Sequence, residues 1–110
     1  MINKLVDRAK MVVASATSTT ITLGSASPGY QSFTAAGVPN DTDVRYVIED
    51  GTSWEIGSGV YTASGTTLTR SVLESSNSDS ALNLSGSATV FVTAVAEDIP
   101  HPFGINLIVG

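Results

Sequence analysis

The stretch Val44 to Ser76, VRYVIEDGTSWEIGSGVYTASGTTLTRSVLESS, decides the fold, because short apolar and polar alternations are broken in it by glycine turns at close intervals. A period of two marks a strand with one buried and one wet face, and close turns make successive strands antiparallel. Val44, Tyr46 and Ile48 fall on one face of the first strand, and Arg45 and Glu49 on the other. Asp50-Gly51 supplies a φ > 0 turn, after which Trp54, Glu55 and Ile56 resume the alternation. That register places Trp54 and Ile56 on one face, so the indole is expected in the core.

Working outward, strands are expected near 7–14 and 19–23, joined by a serine-threonine hairpin or short loop. The periodicity lapses from Gly24 to Asp43. Ser27-Pro28-Gly29 is a turn by its chemistry, and Phe33-Thr34-Ala35-Ala36 makes one helical turn closed by Gly37. Tyr30 and Phe33 are the expected anchors of this connection. Further strands are expected at 44–49, 53–56, 59–62, 67–74 and 89–94, with Gly57-Ser58-Gly59 as a strand connection and 75–80 as a polar loop. Evenly spaced short strands predict an all-β fold: a compact antiparallel β-sandwich or small barrel, with an extended C-terminal tail.

Composition narrows the function. Hydrophobic residues make up 42% and charged residues 14% of the 110 residues, so wet faces must be built from serine, threonine and glycine. Such faces suit contact with other proteins, because hydroxyls hydrogen-bond to a neighbour without the cost of burying charge. At this length the chain forms one domain, near the size at which self-association often adds burial. Ten acids oppose five bases, and Lys4, Arg8, Lys10, Arg45 and Arg70 form no basic run in the sequence. Direct nucleic-acid binding is not expected, since neutralising phosphates needs clustered cations. Absence of cysteine removes disulfides and thiolate metal sites. The apolar run Met11 to Ala14 is too short for a signal peptide, and no stretch has transmembrane length, so the expectation is a soluble protein made in the cytoplasm.

Catalytic motifs are missing from the inventory. The single histidine, His101, lies between Pro100 and Pro102, without a metal-binding partner histidine or a G-x-S-x-G elbow elsewhere. Glu49-Asp50 and Glu97-Asp98 are adjacent pairs, which on a strand face opposite sides. Asp41-Thr42-Asp43 resembles the start of a calcium loop, yet Arg45 takes a ligand position and Thr52 stands where the bidentate glutamate belongs. Gly57-Ser58-Gly59 has no following lysine and so is no phosphate cradle. The expectation is a non-enzyme with no catalytic residues, no cofactor and no metal. A sugar platform built on Trp54 with Tyr46 and Tyr61 is the alternative, set aside because of the core register of Trp54.

The words IEDG, W-E-I-G-x-G-x-Y, T-A-S-G-T-T-L-x-R and V-L-E-S-S-N resemble a small β-module that recurs in virion proteins of tailed bacteriophages. Val6-Asp7-Arg8, Ile21 to Gly24, Tyr30 to Phe33 and Asn83 to Gly86 fit its usual order, so the resemblance covers about residues 6 to 98. It implies a structural protein of the virion, either a head decoration or cement protein on the outside of the capsid or a tail or tail-fibre component. A carbohydrate-binding adsorption module is the third possibility. The implied partners are other virion proteins and the chain itself as a homo-oligomer, with neither nucleic acid nor membrane. On this division residues 1–98 form the β-module and residues 99–110 a C-terminal extension, IPHPFGINLIVG, that departs from the pattern. Its prolines keep the chain extended, and Phe103, Ile105, Leu107, Ile108 and Val109 are the candidate intersubunit contacts, unless they form the last strand of the chain's own sheet.

Overall fold

The computed structural model describes residues 5–93. Seven strands run in the order β1 Lys10–Ala16, β2 Thr20–Ala26, β3 Thr42–Asp50, β4 Ser53–Thr62, β5 Thr67–Thr69, β6 Ser71–Ser75 and β7 Thr89–Val92, with one helical turn, α1 Phe33–Ala36. Six of them close a ring, β3-β7-β1-β2-β5-β4 and back to β3, and every pairing is antiparallel. The fold is therefore all-β and a barrel in preference to a sandwich. The seventh strand, β6, lies outside the ring on β4. The boundary at residue 98 and the whole extension fall outside the described residues.

The β3–β4 hairpin is the longest ladder, pairing Thr42 with Tyr61 through to Asp50 with Ser53 around Gly51 at φ 65°. Val44, Tyr46 and Ile48 point inward as their alternation predicts, and none is exposed. They meet Met11 and Val13 from β1, Ile21 and Leu23 from β2, Leu68 from β5, and Val90 and Val92 from β7 in one core. Closure depends on the short β5: Leu68 pairs with Ile21 on one side and Tyr61 on the other.

The turn Phe33–Ala36 packs Phe33, fully buried, into the core. Ser32 caps it by accepting from Ala35 N at 3.1 Å, and Gly37 ends it at φ 110°, donating to the carbonyls of Phe33 and Thr34. The Phe33 ring stands 5.4 Å from that of Tyr61, whose hydroxyl shares a 2.6 Å hydrogen bond with Thr34. Tyr30, the other expected anchor, is 37% exposed and sits instead under the guanidinium of Arg8, 3.9 Å from its ring centroid.

Three sequence expectations are corrected on β4 and its neighbour. Gly57-Ser58-Gly59 lies inside one ten-residue strand and connects nothing. Burial along β4 alternates so that Glu55, Gly57, Gly59 and Tyr61 face inward, and Trp54, expected in the core, is 39% exposed. The strand expected over 67–74 is split at Arg70, where the chain leaves the β2 ladder and continues along β4 alone. A buried ion pair, Glu55 with Arg70, overrides the usual sorting of apolar in and charged out at the last two, and Gly57 and Gly59 serve in the strand because Ser71, Tyr46 and Thr69 come too close for a Cβ.

Candidate functional site

Arg70 grips Glu55 with both arms of its guanidinium, Nε to Oε2 at 2.9 Å and Nη2 to Oε1 at 2.7 Å, and neither side chain is more than 2% exposed. Tyr46 donates its phenol to Oε2 at 2.8 Å, and Leu82 N donates to Oε1 at 3.0 Å. Arg70 completes its bonding on the carbonyls of Thr17 and Leu82, both at 2.8 Å. This arrangement ties the β1–β2 hairpin, β3, β4 and the segment at Leu82 to one point. Every oxygen of the carboxylate accepts two hydrogen bonds, so none is left to abstract a proton or bind a ligand.

Charge states follow from the geometry. Burial alone would raise the Glu55 carboxyl, but hydrogen bonds from Arg70, Leu82 and Tyr46 outweigh it and hold the group below its ordinary range. Burial, followed by the hydrogen bond to Glu55, pushes the Tyr46 phenol far above the usual tyrosine value, and Glu55 raises Arg70. The pair stays ionised and the phenol neutral around pH 7. This is a lock between strands, and its chemistry is that of a structural ion pair.

The exterior offers more. Across the outer face of the barrel, register places Lys10, Phe91, Val47 and Ile56 in one row over β1, β7, β3 and β4. The adjacent row is Val12, Thr89, Glu49 and Trp54. Phe91, Val47 and Ile56 are half-buried, and Trp54 ends the second row at the β6 side. Four strands span about 14 Å at ordinary strand spacing, so the apolar row is a strip rather than a patch. At its β1 end a groove of roughly 330 Å³ is lined by Arg8, Lys10, Tyr30, Glu49 and Phe91. Lys10 Nζ lies 5.0 Å from the Tyr30 ring, 5.7 Å from Phe91 and 4.0 Å from Glu49. At the other end Leu73 of β6 is also 39% exposed.

The sequence candidates divide. Phe103, Ile105, Leu107, Ile108, Val109 and His101 lie outside the described residues. Glu49 and Asp50 go separate ways: Glu49 faces Lys10, while Asp50 accepts from Ser85 N at 2.7 Å and Ser85 Oγ at 2.5 Å, bonds that lower its carboxyl. Among the described residues no three His, Cys, Asp or Glu side chains stand close enough to hold a metal ion. Sequence reasoning missed the Glu55 and Arg70 pair. Counting by twos back from Tyr61 through Gly59 and Gly57 reaches Glu55, and that signal places the carboxylate inside.

Comparison with known proteins gives no match to a family model, to a curated protein or to a solved structure.

Proposed function

We propose that this chain is a non-enzymatic structural protein of a bacteriophage virion, seated on the outside of the capsid as a decoration or cement protein. The observation that carries the reading is the outer strip of Phe91, Val47 and Ile56 with Trp54 exposed beside it. It sits on a barrel whose interior is filled by packing and by a saturated ion pair. Apolar strips bordered by polar side chains, here Thr89, Glu49, Arg45 and Ser58, suit attachment to protein surfaces. The acidic balance of ten acids to five bases favours a place away from packaged nucleic acid. The sequence resemblance supplies the virion setting. Its partners on this reading are shell proteins and further copies of itself, with no cofactor.

Separating purified particles into heads and tails and quantifying the chain in each tests the assignment. Many copies per head, released without loss of the packaged genome's protection from nuclease, are expected. Recovery with tails alone moves the protein to the tail or tail-fibre class, and absence from both fractions overturns the virion role.

One observation favours a second reading, a glycan-binding adsorption module. Trp54 is exposed, and the backbone beside it, bonded to Ser76, borders a polar groove lined by Ser53, Ser76, Asn77 and Asn83. A planar ring beside amide and hydroxyl groups is the chemistry that binds sugars. Retention on a host-surface polysaccharide column, lost in Trp54→Ala with its fold intact, distinguishes this reading from attachment to the shell.

A further inference from the structure

We infer that the β6 flank of the barrel, Trp54 with Leu73 and the outer edge of Ser71–Ser75, receives residues 103–109 of a second copy of this chain. Among the described residues β6 is the one strand outside the closed ring, and it pairs with β4 alone. Its other edge pairs with no strand among the described residues: Asp79 Oδ1 accepts from Ser75 N at 3.1 Å, and the backbone from Ser71 to Glu74 is the part left to a neighbour. The strand contains no lysine, arginine or proline, residues that commonly protect such an edge, and Glu74 is its single charge. The register shift opposite Ile56 and Gly57 places Leu73 as the extra residue, with its side chain 39% exposed. Two of the four large exposed apolar side chains among the described residues, Trp54 and Leu73, thus stand on this flank.

The occupant is argued from charge, periodicity and direction. The chain as a whole carries a formal charge of −5, yet residues 99–110 contain no Asp, Glu, Lys or Arg. Two like-charged bodies approach best through an uncharged segment. Phe103, Ile105, Leu107 and Val109 recur at a period of two, the spacing that places side chains on one face of an added strand.

Direction favours a neighbour over the same molecule. Strand β7 pairs Phe91 with Val47 and then Val92 with Tyr46, and Thr93 N donates to Arg45 O. The chain therefore leaves the sheet toward Thr42 and Tyr61. Strand β6 lies along Glu55 to Ser58, so the chain passes its Ser71 end, two strands away across β3 and β4, and heads away from its Ser75 end. Phe103 lies ten positions after Thr93, a reach of about 33 Å when extended, enough to step from one barrel to the flank of the next.

This deepens the structural role proposed above by naming a partner for one face, and it is tested in solution without the virion. The chain has no cysteine, so full-length Leu73→Cys and Ile105→Cys proteins can be mixed under an added oxidant. Linked heterodimers are expected, several-fold above a control pairing Ile105→Cys with Ser64→Cys at the far end of β4. The chain carrying both Leu73→Cys and Ile105→Cys should give linked multimers. Monomers closed by an internal bridge, or linkage no greater than the control, overturn the inference. If linkage fails while the protein still fractionates with heads, the exchange of residues 103–109 is wrong and the virion role stands. If linkage succeeds while the protein is absent from particles, the reverse holds.

Discussion

Replacing Arg70 by alanine should remove a large share of the stability of the fold and bring it close to unfolding. The guanidinium supplies two of the four hydrogen bonds on the Glu55 carboxylate and spans to Thr17 and Leu82. Without it a carboxylate remains buried and uncompensated, at a cost of about 3–5 kcal/mol. A domain of this size has about 5–15 kcal/mol in total. Denaturant unfolding followed by circular dichroism reads the effect, and a midpoint equal to the parent's would contradict it. Replacing both partners, Glu55→Met with Arg70→Leu, removes the stranded charge and should recover much of the loss. The same lock sets a pH dependence. A carboxyl depressed on folding stabilises above its unfolded value and loses that contribution as pH falls through the folded one. Glu55 and Asp50 are both depressed, so stability should hold near neutrality and decline below about pH 4, where unfolded carboxyls take up protons. The double replacement should show a shallower acid decline.

Gly59→Ala should be as damaging although it adds a single methyl group. A Cβ at Gly59 would collide with the carbonyl oxygen of Thr69 and stand 3.2 Å from the Leu68 side chain. The obstacle is backbone and cannot swing aside, because Thr20 pairs with Thr69 and both Ile21 and Tyr61 pair with Leu68. Overpacking of this kind costs about 1–3 kcal/mol where side chains can yield, and more where the backbone must move. Since β5 closes the ring, displacing it opens the barrel. Expression of Gly59→Ala should give mostly insoluble protein, whereas Gly86→Ala, with nothing within 4 Å of the added carbon, should melt like the parent. Equal solubility and melting of the two variants would mean that β5 does not close against β4 as described.

Much of the architecture could be read from the residues alone. The spacing of Val44, Tyr46 and Ile48 puts them on one face, and that face is buried. The Gly51 turn and the capped turn Phe33–Ala36 also follow from local chemistry. Closure into a barrel was less legible, because it hinges on three residues of β5 pairing to both sides, a long-range property without a local signal. Trp54 departs from its expected place in the core for a definite reason. Hydrophobicity ranks tryptophan and isoleucine above glutamate as core residues, and only the fixed partners of Glu55 reverse that order. The outer strip was equally hidden: Phe91, Val47 and Ile56 are far apart in sequence and meet through register across three strands. Conversely, the apolar spacing of residues 103–109 is legible in the sequence, whereas the second edge of β6, which pairs with no strand among the described residues, is visible only in the fold.

On the proposed reading, the buried Glu55 and Arg70 pair serves closure of the barrel, and the outer surface meets a phage particle. Electron cryomicroscopy of the intact virion tests it most directly. Density for the six-stranded ring is expected on the outer surface of the head, with the Phe91, Val47 and Ile56 strip or the Trp54 and Leu73 flank against neighbouring protein. A particle in which no such barrel is found on head or tail, or one in which both of these surfaces face open solvent, would contradict it.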